Sequence, residues 1–153
     1  MKRALASLAA LICIAQAASA DGLRDQVVAL KPGQWLNTQT VFMAGREIPQ
    51  AGHERRECLP QAESALTVGQ YVDKFLASMR PALACSINRL TGTSGKVAAS
   101  VTCKGDQGGT DMTLTYRYQR ERVEVLGEGW SSYAGTKVPF KITAQSRYLG
   151  DCP

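Results

Sequence analysis

The sequence predicts an α+β domain: a mainly antiparallel, curved β-sheet or half-barrel of about seven short strands, one packed α-helix and two disulfides. Three observations carry that expectation. Apolar and polar residues alternate with period two in several runs between residues 33 and 145, the mark of strands with one buried face. A single run, Val68 to Met79, repeats its apolar residues at helical spacing instead. Four cysteines remain after an N-terminal leader is set aside, an even number suited to two staples.

The leader comes first. Met1-Lys2-Arg3 carries two positive charges, an apolar run follows from Ala4 to Ala15, and Ala18-Ser19-Ala20 supplies small residues where a signal peptidase reads. Charged start, short apolar centre and A-x-A end in that order make a secretory signal over residues 1–20, with cleavage before Asp21. The run falls short of the ~20 apolar residues that a bilayer span needs. Cys13 follows Leu11 and Ile12 rather than a small residue, so it reads as an apolar part of the leader and not as a lipoprotein site. No later stretch is apolar and long enough to span, so the mature chain is expected to be soluble. Its organisation is then a short N-terminal segment, 21–30, followed by one domain, 31–153.

Within that domain Gly33 to Met43 is β-prone, through Trp35, Thr38, Thr40, Val41 and Phe42, and Ala44-Gly45 supplies a turn. Residues 46–58 return as an irregular second strand, which Pro49 and Gly52 relegate to a sheet edge. Thr67 can cap a helix, with Gln70 three residues on as its capping-box partner. Val68, Tyr71, Val72, Phe75, Leu76 and Met79 then form one apolar stripe, and Pro81 ends it. Met112, Leu114, Tyr116 and Tyr118 alternate with polar residues, and Val123 to Trp130 pairs back through a tight turn at Arg120-Glu121-Arg122. Gly127 and Gly129 mark a bend there. Val138, Phe140, Ile142 and Ala144 make the last alternating strand.

The four mature cysteines are Cys58, Cys85, Cys103 and Cys152. Their number alone allows three connectivities. Spacing selects among them. Two β-prone runs, 85–90 and 97–103, flank the turn-rich Thr91 to Lys96. Folding this hairpin about Ser94 places Cys85 opposite Cys103 and Ile87 opposite Val101, all on one face. Directly opposed antiparallel residues have Cα atoms ~4.5–5.5 Å apart, within reach of a disulfide. Cys58 is then left to Cys152. A four-thiolate metal site is disfavoured, because no C-x-x-C pair occurs and exported thiols oxidise. No metal and no cofactor is expected.

Several of these markers fall in a familiar order. Lys31-Pro32-Gly33-Gln34-Trp35 is followed by Cys58-Leu59, Cys85, Cys103 and a closing Gly150-Asp151-Cys152. This resembles the small exported bacterial proteins grouped as domain of unknown function 3617, with PG-x-W, Cys-Leu, two central cysteines and a terminal G-x-C. The similarity runs from about Lys31 to Cys152. Pro60-Gln61-Ala62-Glu63 stands where such proteins often show Thr-Pro-Glu. The resemblance implies a periplasmic or secreted location and a disulfide framework. It implies no activity, so no catalytic residue is carried over.

The residues argue against catalysis in the same direction. Lys and Arg total 18 against 13 Asp and Glu. Losing Lys2 and Arg3 leaves 16, a mature balance of +3 spread along the chain, without the dense basic patch of a nucleic-acid binder. His53 is the one histidine, and His53-Glu54-Arg55-Arg56-Glu57 lacks the second histidine of an H-E-x-x-H zinc helix. It reads as a charged strand edge that resists pairing with other chains. No G-x-S-x-G elbow accompanies the many Ser and Thr residues. Glu124 and Glu128 share a strand face without any sign of burial, and Gly92 to Lys96 is a hairpin turn rather than a phosphate loop. Trp35, Tyr116, Tyr118, Trp130 and Tyr133 could line a groove for a sugar or lipid, or simply pack the core. The expected function is therefore a non-catalytic periplasmic module that binds a protein or apolar ligand, at residues the sequence leaves unnamed. The alternative is an inhibitor of a cell-wall-degrading enzyme. Intact-mass analysis of the protein recovered from cells checks the export expectation: it should begin at Asp21, with all four sulfurs resistant to alkylation until a reductant is added.

Overall fold

The computed structural model describes residues 20–79, 84–106 and 108–153. The expected leader, up to residue 19, and the helix stop at Pro81 lie outside the described residues. A short helix α1 (Ala20–Arg24) leads into β1 (Gly33–Met43), β2 (Arg46–Glu47), β3 (His53–Leu59), α2 (Val68–Met79) and β4 (Ala84–Thr93). Four long strands follow: β5 (Lys96–Gly105), β6 (Gly108–Gln119), β7 (Arg122–Tyr133) and β8 (Thr136–Gly150). They form one antiparallel, eight-stranded sheet in the order β2-β1-β8-β7-β6-β5-β4, with β3 also on β1. The eighth strand, beyond the seven expected, is two-residue β2. Pro49 interrupts the return from β1 with a single 3-10 turn, so one irregular strand becomes two short ones.

Strands β4 to β8 are a simple meander, and the hairpin registers follow from the turns. Cys85 lies opposite Cys103 and Ile87 opposite Val101, with a bulge just beyond. Disulfides join Cys85 to Cys103 and Cys58 to Cys152. Gly129 has a separate task. A Cβ there would run into the carbonyl oxygen of Asp111 on β6, so glycine lets two backbones approach where the sheet curls.

Alternation assigns each strand one inward row: Val97, Ala99, Val101 and Cys103 on β5, and Met112, Leu114 and Tyr116 on β6. Over these lies α2. The Thr67 backbone N–H donates to Gln70 Oε1 at 2.8 Å and the Gln70 N–H to Thr67 Oγ1 at 3.3 Å, a complete capping box. Val68, Val72 and Leu76 are buried against the sheet, and each such side chain contributes about 1.5–3 kcal/mol on leaving water. The segment 21–30 joins the same core through Leu23, Val28 and Leu30. It is held to the stretch before α2 by bonds from Val28 N–H to Leu66 O and from Leu30 N–H to Ser64 O, at 2.9 and 2.8 Å.

The two disulfides close loops of very different length, 94 and 18 residues of separation. In the chain-entropy account they restrict the unfolded state by about 4–5 and about 3 kcal/mol. Replacing Cys58 and Cys152 together by Ser should therefore lower unfolding free energy more than replacing Cys85 and Cys103, as read from urea unfolding curves fitted each with its own slope, which rises as the unfolded chain is released.

Candidate functional site

One helix cannot cover this sheet. An α-helix is about 10–12 Å across with its side chains, whereas strands spaced about 4.8 Å apart make a seven-position sheet roughly 29 Å wide. Helix α2 lies over the β5–β6 end. Toward β8, β1 and β3 the inward face stays open, and a groove of about 1160 Å³ lies there. Its floor comes from the inward rows: Met112 on β6, Val123 and Val125 on β7, Phe140, Ile142 and Ala144 on β8, and Val41 and Met43 on β1. Val41, Met43, Val123, Phe140 and Ala144 are only half-buried, although they share a face with Leu114, which is fully buried.

The wall nearest the helix carries Tyr71 and Phe75. Phe75 meets Tyr116 edge-on with ring centroids 6.0 Å apart. The Tyr71 hydroxyl donates to the Glu63 carbonyl at 3.1 Å. Burial, reinforced by the Glu63 carboxylate, raises its pKa from 10 to about 12. Burial also drives the Tyr116 phenol far up, with a smaller contribution from Asp73. Beside this wall Lys74 Nζ pairs with Glu63 Oε2 at 2.6 Å.

The opposite rim is β3. Its alternate residues His53, Arg55 and Glu57 border the groove, Arg55 is ion-paired with Glu57, and Asn37 Nδ2 donates to Glu57 Oε2 at 2.7 Å. The site is thus an apolar trough between two polar rims, each holding charges of both signs. Thr110 Oγ1 and the Tyr116 hydroxyl, in two of the groove's lining residues, are buried without a hydrogen-bond partner among the described residues.

The residues singled out in the sequence scatter around this trough. His53 sits on its rim at the exposed sheet edge, opposite Gln39. Trp35 and Tyr116 border it, while Tyr118 borders a separate cavity of about 20 Å³. Trp130 is 53 % exposed on the opposite face of the sheet, because its strand position has the outward parity; the side chain of Tyr133 is not among those described. Glu124 and Glu128 share that outer face and pair with Arg122 and Lys141. Ser94-Gly95 is the turn of the β4–β5 hairpin. Among the described residues, no three His, Cys, Asp or Glu side chains gather as a metal-binding group. Most of the floor escaped the sequence reading, since a groove-facing Val or Phe alternates like a core-facing one.

The motif residues meet where β1, β3 and the end of β8 come together. Gly33 pairs with Leu59, and Gln34 lies opposite both Cys58 and Gly150. Gly33 has φ +138°, and a Cβ on it would strike the Gly150 carbonyl. Trp35, 3 % exposed, donates its indole N–H to Lys31 O at 2.9 Å and packs edge-on against Tyr148. PG-x-W, Cys-Leu and G-x-C therefore describe one stapled corner of the sheet. The chain belongs to the family of proteins of unknown function DUF3617. The family model matches residues 30–152, which spans this corner, the trough and both disulfides. No curated protein and no solved structure matches. In this DUF3617 chain the diagnostic residues hold a corner of the sheet, and three of them, Trp35, Cys58 and Leu59, also line the trough.

The raised Tyr71 pKa sets a pH dependence. The folded phenol holds its proton between pH 10 and 12 while the unfolded one loses it, so its share of stability is complete below pH 10 and lost as pH rises toward 12. Absorbance titration at alkaline pH should show a late-ionising tyrosine near 12 that disappears in Tyr71→Phe.

Proposed function

We propose that this protein is an exported, non-catalytic module that takes the apolar part of a lipid-like small molecule into the trough. The observation that carries the reading is the set of half-buried apolar residues around a groove of about 1160 Å³. Ligand sites are concave and mostly apolar with a few polar groups, with volumes of about 300–1,000 Å³. This one, at about 1160 Å³, lies just above that scale, which suits an extended chain. Water over such a floor is displaced favourably, at about 25 cal/mol per Å² of apolar surface covered. The mixed-sign rims can hold a polar head at the mouth while the apolar portion lies on the floor.

Export is supported by the three-part leader and by two disulfides, which persist in oxidising compartments. Among the described residues no helix is long and apolar enough to cross a membrane. The non-catalytic part rests on the lack of a placed base. Among the described residues the His53 side chain, on the exposed rim, makes no hydrogen bond to an orienting acid or a nucleophile, as a triad would need.

A narrow test uses Ala144, on the floor opposite Val125 and Gln39. Ala144→Trp fills part of the trough from a half-buried position, where an added ring has room. Binding of a fluorescent fatty-acid analogue should weaken about tenfold or more while the melting midpoint moves little. Protein purified from cells should also release lipid on solvent extraction. Equal dye binding by both proteins, with no extractable lipid, would exclude the reading.

A further inference from the structure

Strand β3 ends the sheet. It pairs with β1 along one edge over residues 53–59, and His53 to Cys58 are all exposed. An edge strand of this kind offers a row of backbone N–H and C=O groups to any other strand, and charges of one sign are a common guard. Here the charges are not of one sign. His53-Glu54-Arg55-Arg56-Glu57 changes sign along its length, and the order matters.

We propose that β3 is a self-complementary edge, through which two copies of this chain pair antiparallel about a two-fold axis at Arg55. In an antiparallel pair related by a two-fold axis perpendicular to the sheet, opposed residues have the same inward or outward parity. The register must therefore centre on a residue. Centred on Arg55, Glu54 lies opposite the second copy's Arg56 and His53 opposite its Glu57, each twice by symmetry. Opposite charges directly across a strand pair stabilise and like charges destabilise it. The one like-charged meeting, Arg55 with Arg55, is relieved on each side by the Glu57 that already pairs with it. Moving the centre to Glu54 or Glu57 sets Glu against Glu, whereas centring on Arg56 keeps two Arg55–Glu57 pairs but leaves His53 and Glu54 opposite the uncharged Leu59 and Cys58. The pattern thus accepts a second copy best in the register centred on Arg55, which gives every charged residue but Arg55 itself, and His53 as well, a partner across the edge.

The contact is isologous, and because the axis is perpendicular to the joined sheet both concave faces lie on one side. The rims carrying His53, Arg55 and Glu57 then meet, and the two troughs join into one longer channel. The pairing itself stands on the edge and its charges, independently of what the trough binds.

Two charge-swapped proteins test it with disulfides intact. Arg55→Glu with Arg56→Glu makes the edge acidic; Glu54→Lys with Glu57→Lys makes it basic. Light scattering of the unaltered protein should rise with concentration from the monomer mass to twice that mass. Each variant alone should self-associate at least about tenfold more weakly, and an equimolar mixture of the two should regain the doubled mass. An unaltered protein that stays monomeric at every concentration, or variants that associate as it does, would overturn the proposal. Hydrogen exchange on the unaltered protein needs no variant to fold: amides of residues 53–59 should exchange more slowly in concentrated than in dilute samples, and equal rates refute the pairing.

Discussion

Strand β1 is hydrogen-bonded along both edges, and the rest of the architecture depends on that. On one side it holds β8, the last strand of the meander; on the other it holds β3 and the two-residue β2. The meander alone would be an open ribbon with its chain end free. Laying β1 against β8 joins the earliest strand to the latest, a contact of high sequence separation that must repay a large loop-closure entropy. The protein secures it at one corner, where Gly33 lets its backbone approach that of Gly150, Trp35 packs edge-on against Tyr148, and Cys58 is bonded to Cys152. PG-x-W, Cys-Leu and G-x-C sit at or beside this corner, while Cys85–Cys103 staples the far end of the sheet.

The same arrangement leaves an inward face wider than its cover. Six of the seven strand positions, all but the β2/β3 edge, present apolar rows, but a helix of 12 residues, about 18 Å long, and the segment 21–30 are what pack against them. The surplus is the trough. Its apolar floor is a consequence of alternation continued past the helix, and its rims are polar because β3 is an edge and α2 turns its charged side to water. Lys74, Glu63, Arg55 and Glu57 need no burial to sit at the mouth, so none of them carries the desolvation penalty of a buried ion.

The charged segment 53–57 illustrates how one stretch serves two surfaces. By strand parity His53, Arg55 and Glu57 border the trough, while Glu54 and Arg56 belong to the outer face. A sequence reading finds the edge correctly from Pro49, Gly52 and the charges. It does not find the rim, because that requires knowing which parity faces the concave side. The aromatic residues divide on the same rule: Trp35 and Tyr116 have inward parity, Trp130 outward. Parity is set by register, and register by pairing partners far away in the chain.

Local chemistry was decided by the sequence. The strand–turn–strand hairpin that opposes Cys85 to Cys103, the capping box at Thr67 and Gln70, the edge character of residues 46–58 and the alternation of β6 to β8 all depend on neighbours within about twenty residues, where propensity and periodicity act. Only the tertiary structure decided that the two ends of the chain share a strand pair, that residues 21–30 belong to the core, and that the inward rows of β1, β7 and β8 are left uncovered. A Val or Phe carries the same pattern whether a helix or open space lies above it; what lies above is a matter of which elements the curled sheet brings within reach.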